Sequence, residues 1–136
     1  MNVLLDTDVL IDLAMDREPY SQAAGALIDA LERHSGSGFM AWHSISSFYY
    51  LVAPSRGRGS AKTFLLDLAQ FIQVAPATTQ GLVFAGSLKM HDFEDAMQVA
   101  AALACRADVI ATRNLKDYAR SPITAAEPGT IVKDFL

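Results

Sequence analysis

The sequence predicts an α/β fold, with three α/β/α layers and a mostly parallel central sheet of four or five strands. Short, wholly apolar runs such as Val3–Leu5 recur along the chain, and runs of this kind are typical of strands buried on both faces. Helical segments of about 10–15 residues separate them, which is typical of right-handed βαβ crossovers. Helices are therefore expected on both faces of the sheet.

The predicted elements alternate from the first strand onward. Apolar residues at helical spacing indicate a helix over 20–33, which ends in a Ser-Gly-Ser-Gly stop. A second strand is expected over 39–42, and Ser44 is a suitable N-cap for the aromatic helix that follows. The later elements are a helix over 61–70, a strand over 71–75, a helix from Thr79, a helix from Asp92, a strand over 108–112, a strand near 123–124 and a helix from about Pro128.

Length and composition favour one folded domain over 1–136. The chain is 51% hydrophobic and has no linker, internal repeat or low-complexity segment. Its net charge of -4 argues against attraction to nucleic acid over the whole surface, but a local basic face is compatible with it. The single Cys105 excludes an internal disulfide and a cysteine-ligated zinc site.

The sequence also has no signal peptide at its start and no apolar run of about 18 residues that could cross a membrane. We therefore expect a cytoplasmic protein without a membrane partner.

Carboxylates follow predicted strands or begin predicted helices: Asp6, Asp8, Asp92, Glu94, Asp95 and Asp117. In parallel sheets, functional groups gather at the carboxyl ends of the strands, near the point where the strand order reverses. Clustered carboxylates repel one another and become easier to protonate unless a cation lies among them. If the fold brings these acids together, they form a metal site.

The acids at helix starts also have a purely structural explanation. Asp8 is interpreted as the N-cap of the helix that follows it, and Asp6 as a metal ligand because it ends a strand. Asp92 fits an N-cap as well, and acids in a first turn are favoured by the helix dipole. Asp92 and Asp95 share one face of their helix and could bind one cation together, whereas Glu94 is expected to point elsewhere.

The strand that ends near Thr112 is followed closely by Asn114 and Asp117. Their oxygens would suit Mg²⁺ or Mn²⁺, or would orient a water molecule, if they lay near Asp6 and Asp95. A solvated loop would look much the same in sequence.

Lys and Arg residues cluster in two places, which are Arg56, Arg58 and Lys62, and then Arg113, Lys116 and Arg120. Exposed basic residues are ordinary, so each cluster can be a solvated loop. Beside an acidic metal pocket, the second cluster would form a track for a nucleic-acid backbone.

Three blocks of sequence together resemble the PIN-domain family, including the toxin ribonucleases of bacterial toxin–antitoxin pairs. The blocks are LLDTDVL at 4–10, DFEDAMQ at 92–98, which an alanine-rich helix continues, and DVIATRNLKDY at 108–118. The resemblance covers nearly the whole chain. It implies a three-layer α/β/α fold and an acidic pocket that holds Mg²⁺ or Mn²⁺ for the cleavage of RNA.

By that resemblance, Asp6 and Asp95 are the main metal ligands, and Asp92, Asn114 and Asp117 complete or flank the catalytic site. A toxin of this kind would have RNA as its substrate. It would also bind a cognate antitoxin that occludes the pocket, and it would form a homodimer.

The chain departs from the family pattern at two positions. Most active members carry a glutamate early in the helix after the second strand, where this chain has Ser47, and Asn114 stands where another family acid is expected. A catalytically impaired PIN-fold module that binds RNA or protein is therefore the alternative function.

A second alternative is a haloacid-dehalogenase-like phosphatase, since that family also begins with an apolar strand followed by Asp6-x-Asp8. In it, Asp6 would be a nucleophile and Asp8 the acid/base. The chain has little room for a cap domain and lacks a convincing later lysine and paired-acid motif, which argues against this function.

Overall fold

The structure, a computed structural model, describes residues 1–136, which form one five-stranded sheet and seven α-helices. The strands are β1 (Val3–Leu5), β2 (Gly38–Met40), β3 (Ile72–Val74), β4 (Val109–Ala111) and β5 (Thr124–Ala126). The helices are α1 (Thr7–Ala14), α2 (Ser21–Arg33), α3 (Trp42–Arg56), α4 (Arg58–Leu68), α5 (Thr79–Ser87), α6 (Phe93–Ala104) and α7 (Pro128–Asp134), with a short 3₁₀ helix over Leu115–Tyr118.

The strand order is β3-β2-β1-β4-β5, and all four pairings are parallel. From β1 the chain moves outward through β2 and β3, and it then returns to the other side of β1 to form β4 and β5. Leu5 at the end of β1 lies opposite Met40 of β2 and Ala111 of β4. The predicted fold class is confirmed, and the strand order reverses between β1 and β4.

Helices cover both faces of the sheet, as predicted. Val3 and Leu5 belong to a core shared with α1, α2, α3, α4 and α7, whereas Leu4 belongs to a core on the opposite face with α6. This division follows from the two-residue period of a strand. The small side chains of α6, such as the fully buried Ala102, allow it to approach the sheet closely.

Several predicted helix starts are wrong by one to three residues. Ser44 is not the cap of α3 but lies buried in its first turn, because α3 begins directly after β2 with Ala41 at the N-cap position. The N-cap of α5 is Thr78 rather than Thr79, and its Oγ1 accepts a hydrogen bond from the Gly81 N–H at 3.0 Å. None of the helices has the length and apolar character that crossing a bilayer requires.

Candidate active site

A pocket of about 330 Å³ opens at the carboxyl ends of β1 and β4. All five residues predicted to be catalytic line it: Asp6, Asp92, Asp95, Asn114 and Asp117. Asp8, Glu94, Ser47 and Arg17 line it too. The chain has therefore gathered six carboxylates at the point where the strand order reverses, as the position rule for open parallel sheets leads us to expect.

Asp6 lies at the base of the pocket and is only 6% exposed. Its Oδ1 accepts the Thr7 N–H at 2.7 Å, so Asp6 is the N-cap of α1. Its Oδ2 accepts the hydroxyls of Thr112 at 2.8 Å and Tyr118 at 3.1 Å. Burial raises the pKa of Asp6, and these hydrogen bonds oppose that rise. The carboxylate is thus held in one orientation by groups from three parts of the chain.

A buried amide, which the sequence analysis did not identify, also holds Asp6. Gln98 of α6 is 1% exposed, and its Nε2 donates to Asp6 Oδ1 at 3.1 Å and to the Ser44 Oγ at 2.7 Å. The Thr7 hydroxyl lies 3.3 Å from the same Nε2 and donates to Ser44 Oγ at 2.9 Å. The available signal was a glutamine beside Val99 on the buried face of α6, since a buried amide needs hydrogen-bond partners.

The prediction that Asp8 caps α1 is wrong. Because β1 runs into α1 without a turn, the last extended residue is Asp6, with φ -69° and ψ 155°, and it takes the capping role. Asp8 instead faces the pocket, where its Oδ2 accepts the Arg113 N–H at 3.3 Å and the Asn114 Nδ2–H at 3.1 Å. Its Oδ1 is buried without a hydrogen-bond partner.

The pKa of Asp8 is raised to about 7, chiefly by burial and then by the charge of Asp6. Asp95 has its pKa raised to about 7 as well, by burial first and then by Asp6, Asp92 and Asp117. Tyr118 lies between Asp6 and Asp95, since its Oη is 3.1 Å from Asp6 Oδ2 and 3.4 Å from Asp95 Oδ1. The carboxylates therefore repel one another across the pocket.

Asp92 is the N-cap of α6, as predicted. Its Oδ1 accepts the N–H of Glu94 at 2.7 Å and the N–H of Asp95 at 3.3 Å. The prediction that Glu94 points away is wrong, because Glu94 lines the same pocket as its two acidic neighbours. All three acids of this helix start therefore add negative charge to one site.

Arg113 was predicted to belong to a nucleic-acid track. Its side chain instead binds Asp12 of α1 and does not line the acidic pocket. Its Nε donates to Asp12 Oδ2 at 2.7 Å and its Nη2 to Asp12 Oδ1 at 3.2 Å, while its guanidinium lies 4.3 Å from the ring centroid of Tyr20. The Asp12 side chain is 2% exposed and the Arg113 side chain 27%, so this partly buried ion pair joins α1 to the loop after β4. It also fixes the backbone N–H that Arg113 donates to Asp8.

The donor set fits a hard divalent cation. No three His, Cys, Asp or Glu side chains stand close enough to form a complete ligand set by themselves, so the pocket is not a closed cage of the structural zinc type. Mg²⁺ commonly uses only one or two carboxylates and takes its other ligands from water and phosphate. The unpaired Oδ1 of Asp8 and the repulsion among Asp6, Asp8 and Asp95 are features that a bound cation would relieve.

Comparisons with known proteins agree with the fold. The chain is similar in structure to VapBC2 from Rickettsia felis bound to a promoter DNA fragment (TM-score 0.72, 14% identity, 93% of this chain and 98% of that chain). It is also similar to DNA-bound VapBC from Salmonella typhimurium (TM-score 0.71, 15% identity, 94% and 98%). A third similar structure is VapC20 of Mycobacterium tuberculosis, a sarcin–ricin loop cleaving toxin (TM-score 0.61, 14% identity, 80% and 87%).

At these low identities the structural likeness shows the fold alone, and no match was found among curated protein sequences. A family model described as PIN domain matches residues 2–116, which is most of the chain. The resemblance noted in the sequence is thereby confirmed, and the chain belongs to the PIN-domain family.

Proposed function

We propose that this chain is a single PIN domain that cleaves RNA phosphodiester bonds as a metal-dependent endoribonuclease. The observation that carries the proposal is the gathering of carboxylates at the strand-order reversal of a PIN-family fold, with Asp8 Oδ1 buried and unpaired. Asp6 and Asp95 would hold Mg²⁺ or Mn²⁺. Asp8 is a third candidate ligand, because it lines the same pocket. The similar structure of VapC20, described as a cleaving toxin, also supports the proposal.

A bound divalent ion would supply Lewis-acid chemistry, which lowers the pKa of a bound water and steadies the charge of the phosphate. The residues of the chain perform the remaining tasks. Thr112, Tyr118 and Gln98 hold Asp6 in a fixed orientation, so the charge that faces the substrate needs no rearrangement. Asp92 and Asp117 line the open part of the pocket and would orient the attacking water.

We also propose that the chain binds two protein partners, which are a cognate antitoxin that occludes the acidic pocket and a second copy of the chain. The structures from Rickettsia felis and Salmonella typhimurium are of VapBC assemblies, which supports an antitoxin partner. Trp42, Tyr50 and Val83 are 65%, 82% and 68% exposed, so the chain has apolar surface that a protein partner could cover.

The test is the substitution Asp6→Asn, assayed on a fluorescent single-stranded RNA with Mn²⁺. The amide is almost isosteric with the carboxylate, so we expect the fold to survive while cleavage falls by at least about 100-fold and Mn²⁺ binding weakens in calorimetry. Asp67→Asn, which changes an exposed acid of α4 outside the pocket, is the matched control. Cleavage by Asp6→Asn equal to that of the control would refute the assignment.

The alternative, a PIN-fold module that binds without cutting, is favoured by one observation: Ser47 and Asn114 both line the pocket without contributing charge. Calorimetry that detects no Mn²⁺ binding near neutral pH would favour it. The phosphatase alternative is disfavoured, because both Asp6 oxygens already accept hydrogen bonds and the carboxylate is almost wholly buried, so it is poorly placed as a nucleophile.

A further inference from the structure

A basic depression of about 590 Å³ lies beside the acidic pocket. Lys89 and His91 line it from the segment between α5 and α6, and Lys116 and Arg120 line it from the 3₁₀ helix and the turn that follows. Asp117 lines both the depression and the acidic pocket, so the two are adjacent at that residue.

The basic side chains of this depression are free to meet a ligand. All four are exposed, and none of them forms a salt bridge, because the two ion pairs of the structure join Arg17 and Arg113 to Asp12. Unpaired Lys and Arg side chains are donors that suit phosphate oxygens. The depression thus combines free donors with a position next to the proposed site of bond cleavage.

Because the overall charge is negative, a polyanion needs a local source of positive charge, which basic side chains or a bound cation can supply. The chain carries a net charge of -4, and six carboxylates line the acidic pocket, so a nucleic acid that approaches the pocket is repelled. On the rim formed by α3, the lining residues Ser47 and Leu51 are uncharged. Among the residues that line the acidic pocket and the basic depression, the Lys and Arg side chains without a salt bridge therefore all lie on the Asp117 side.

We propose that the basic depression binds the phosphodiester backbone of the RNA on one side of the scissile bond, with Lys116 and Arg120 contacting phosphates. This inference rests on the proposed ribonuclease function and adds to it a direction for the substrate strand. The RNA leaves the acidic pocket across Asp117 and enters the depression. Because the contacts are to phosphates, they position the strand and carry no base preference.

The test compares the double variant Lys116→Ala/Arg120→Ala with Arg58→Ala/Lys62→Ala, which removes the same charge from exposed positions of α4 outside both pockets. Binding of a fluorescein-labelled oligouridine of about 12 nucleotides is measured by anisotropy in EDTA at several salt concentrations. We expect the first variant to bind roughly tenfold more weakly, and the salt dependence of log Kd to fall by about 1.4, for two single-strand phosphates. We expect the second variant to stay within about twofold of the parent.

An oligothymidine of the same length should lose affinity by the same factor, because DNA offers the same phosphates. Equal weakening by the two double variants, or an unchanged salt dependence, would overturn the proposal by showing only diffuse charge attraction. A cleavage assay with Mn²⁺ distinguishes failure of the phosphate-site proposal from failure of the proposed ribonuclease function. If the parent cleaves no RNA but Lys116→Ala/Arg120→Ala still binds more weakly than its control, the phosphate site stands and the nuclease fails. If the parent cleaves and this variant keeps its KM and Kd, the phosphate site fails.

Discussion

Replacing Asp8 by asparagine should stabilise the metal-free protein while weakening its binding of Mn²⁺. Asp8 has a pKa of about 7 in place of 3.8, so at pH 8 the folded protein carries a charge that the unfolded chain accommodates more easily. That difference corresponds to roughly 4 kcal/mol at 1.36 kcal/mol per pKa unit. Partial exposure of Asp8 and its coupling to Asp6 reduce the expected gain in the free energy of unfolding to about 1–2 kcal/mol.

The dependence on pH identifies the cause of this gain. A raised folded-state pKa means that the penalty is absent below about pH 4, grows as Asp8 ionises, and is complete above about pH 7. Asp8→Asn should therefore raise Tm at pH 8 by about 3–8 °C and have little effect at pH 4. Asparagine keeps an oxygen for the Arg113 N–H and Asn114 Nδ2–H donors and places an uncharged amide where Oδ1 lacks a partner.

Thermal melts at both pH values, with and without Mn²⁺, measure the effect. In the parent, Mn²⁺ should raise Tm more at pH 8 than at pH 5, because protons compete for the same carboxylates. In Asp8→Asn, that Mn²⁺ effect should shrink. Asp67→Asn serves as the control for the loss of one exposed acid. A variant that is equally destabilised at both pH values would show that Asp8 is structural, as a helix-start acid would be.

Two further perturbations probe the groups that support the site. Arg113→Ala should lower the free energy of unfolding by about 2–3 kcal/mol, because it leaves Asp12 buried with only Arg17 at 3.9 Å; a loss under about 1 kcal/mol in urea unfolding would contradict this. Gln98→Leu should weaken Mn²⁺ binding at least about tenfold, because it removes the amide that orients Asp6. Its control is Gln22→Leu, at an exposed position of α2. Equal Mn²⁺ affinities of the two variants in calorimetry would count against that role of Gln98.

The outline of the fold follows from local sequence. Val3–Leu5 and Val109–Ala111 are short apolar runs bounded by polar residues, and that pattern alone identifies central strands of a parallel sheet. Once these two strands are neighbours, the residues that follow them meet at one edge. The proximity of Asp6 and Asn114 was therefore predictable without any knowledge of side-chain contacts.

The orientation of individual side chains was not predictable in the same way. Asp6 and Asp8 are both suitable N-cap residues, and the choice between them depends on which residue is the last with extended backbone, a property of how tightly β1 runs into α1. Arg113 carries the charge expected of an RNA contact, but its partner lies 101 residues earlier. The sequence did contain a clue to this pairing. Asp12 is four residues after Asp8 and so shares its face of α1, which places it near the loop that contacts Asp8.

The neutral residue at position 114 is compatible with the position of the Asp8 carboxylate beside it. Asn114 donates its amide to Asp8 Oδ2 at 3.1 Å, whereas a carboxylate there would lose that hydrogen bond and repel Asp8. Asp8 already has its pKa raised to about 7 by burial and by Asp6, so a further charge beside it would favour protonation over metal binding. Asn114 therefore gives Asp8 a hydrogen-bond donor in place of a further like charge, and we propose that Asp8 supplies the carboxylate that the family resemblance leads us to expect at position 114.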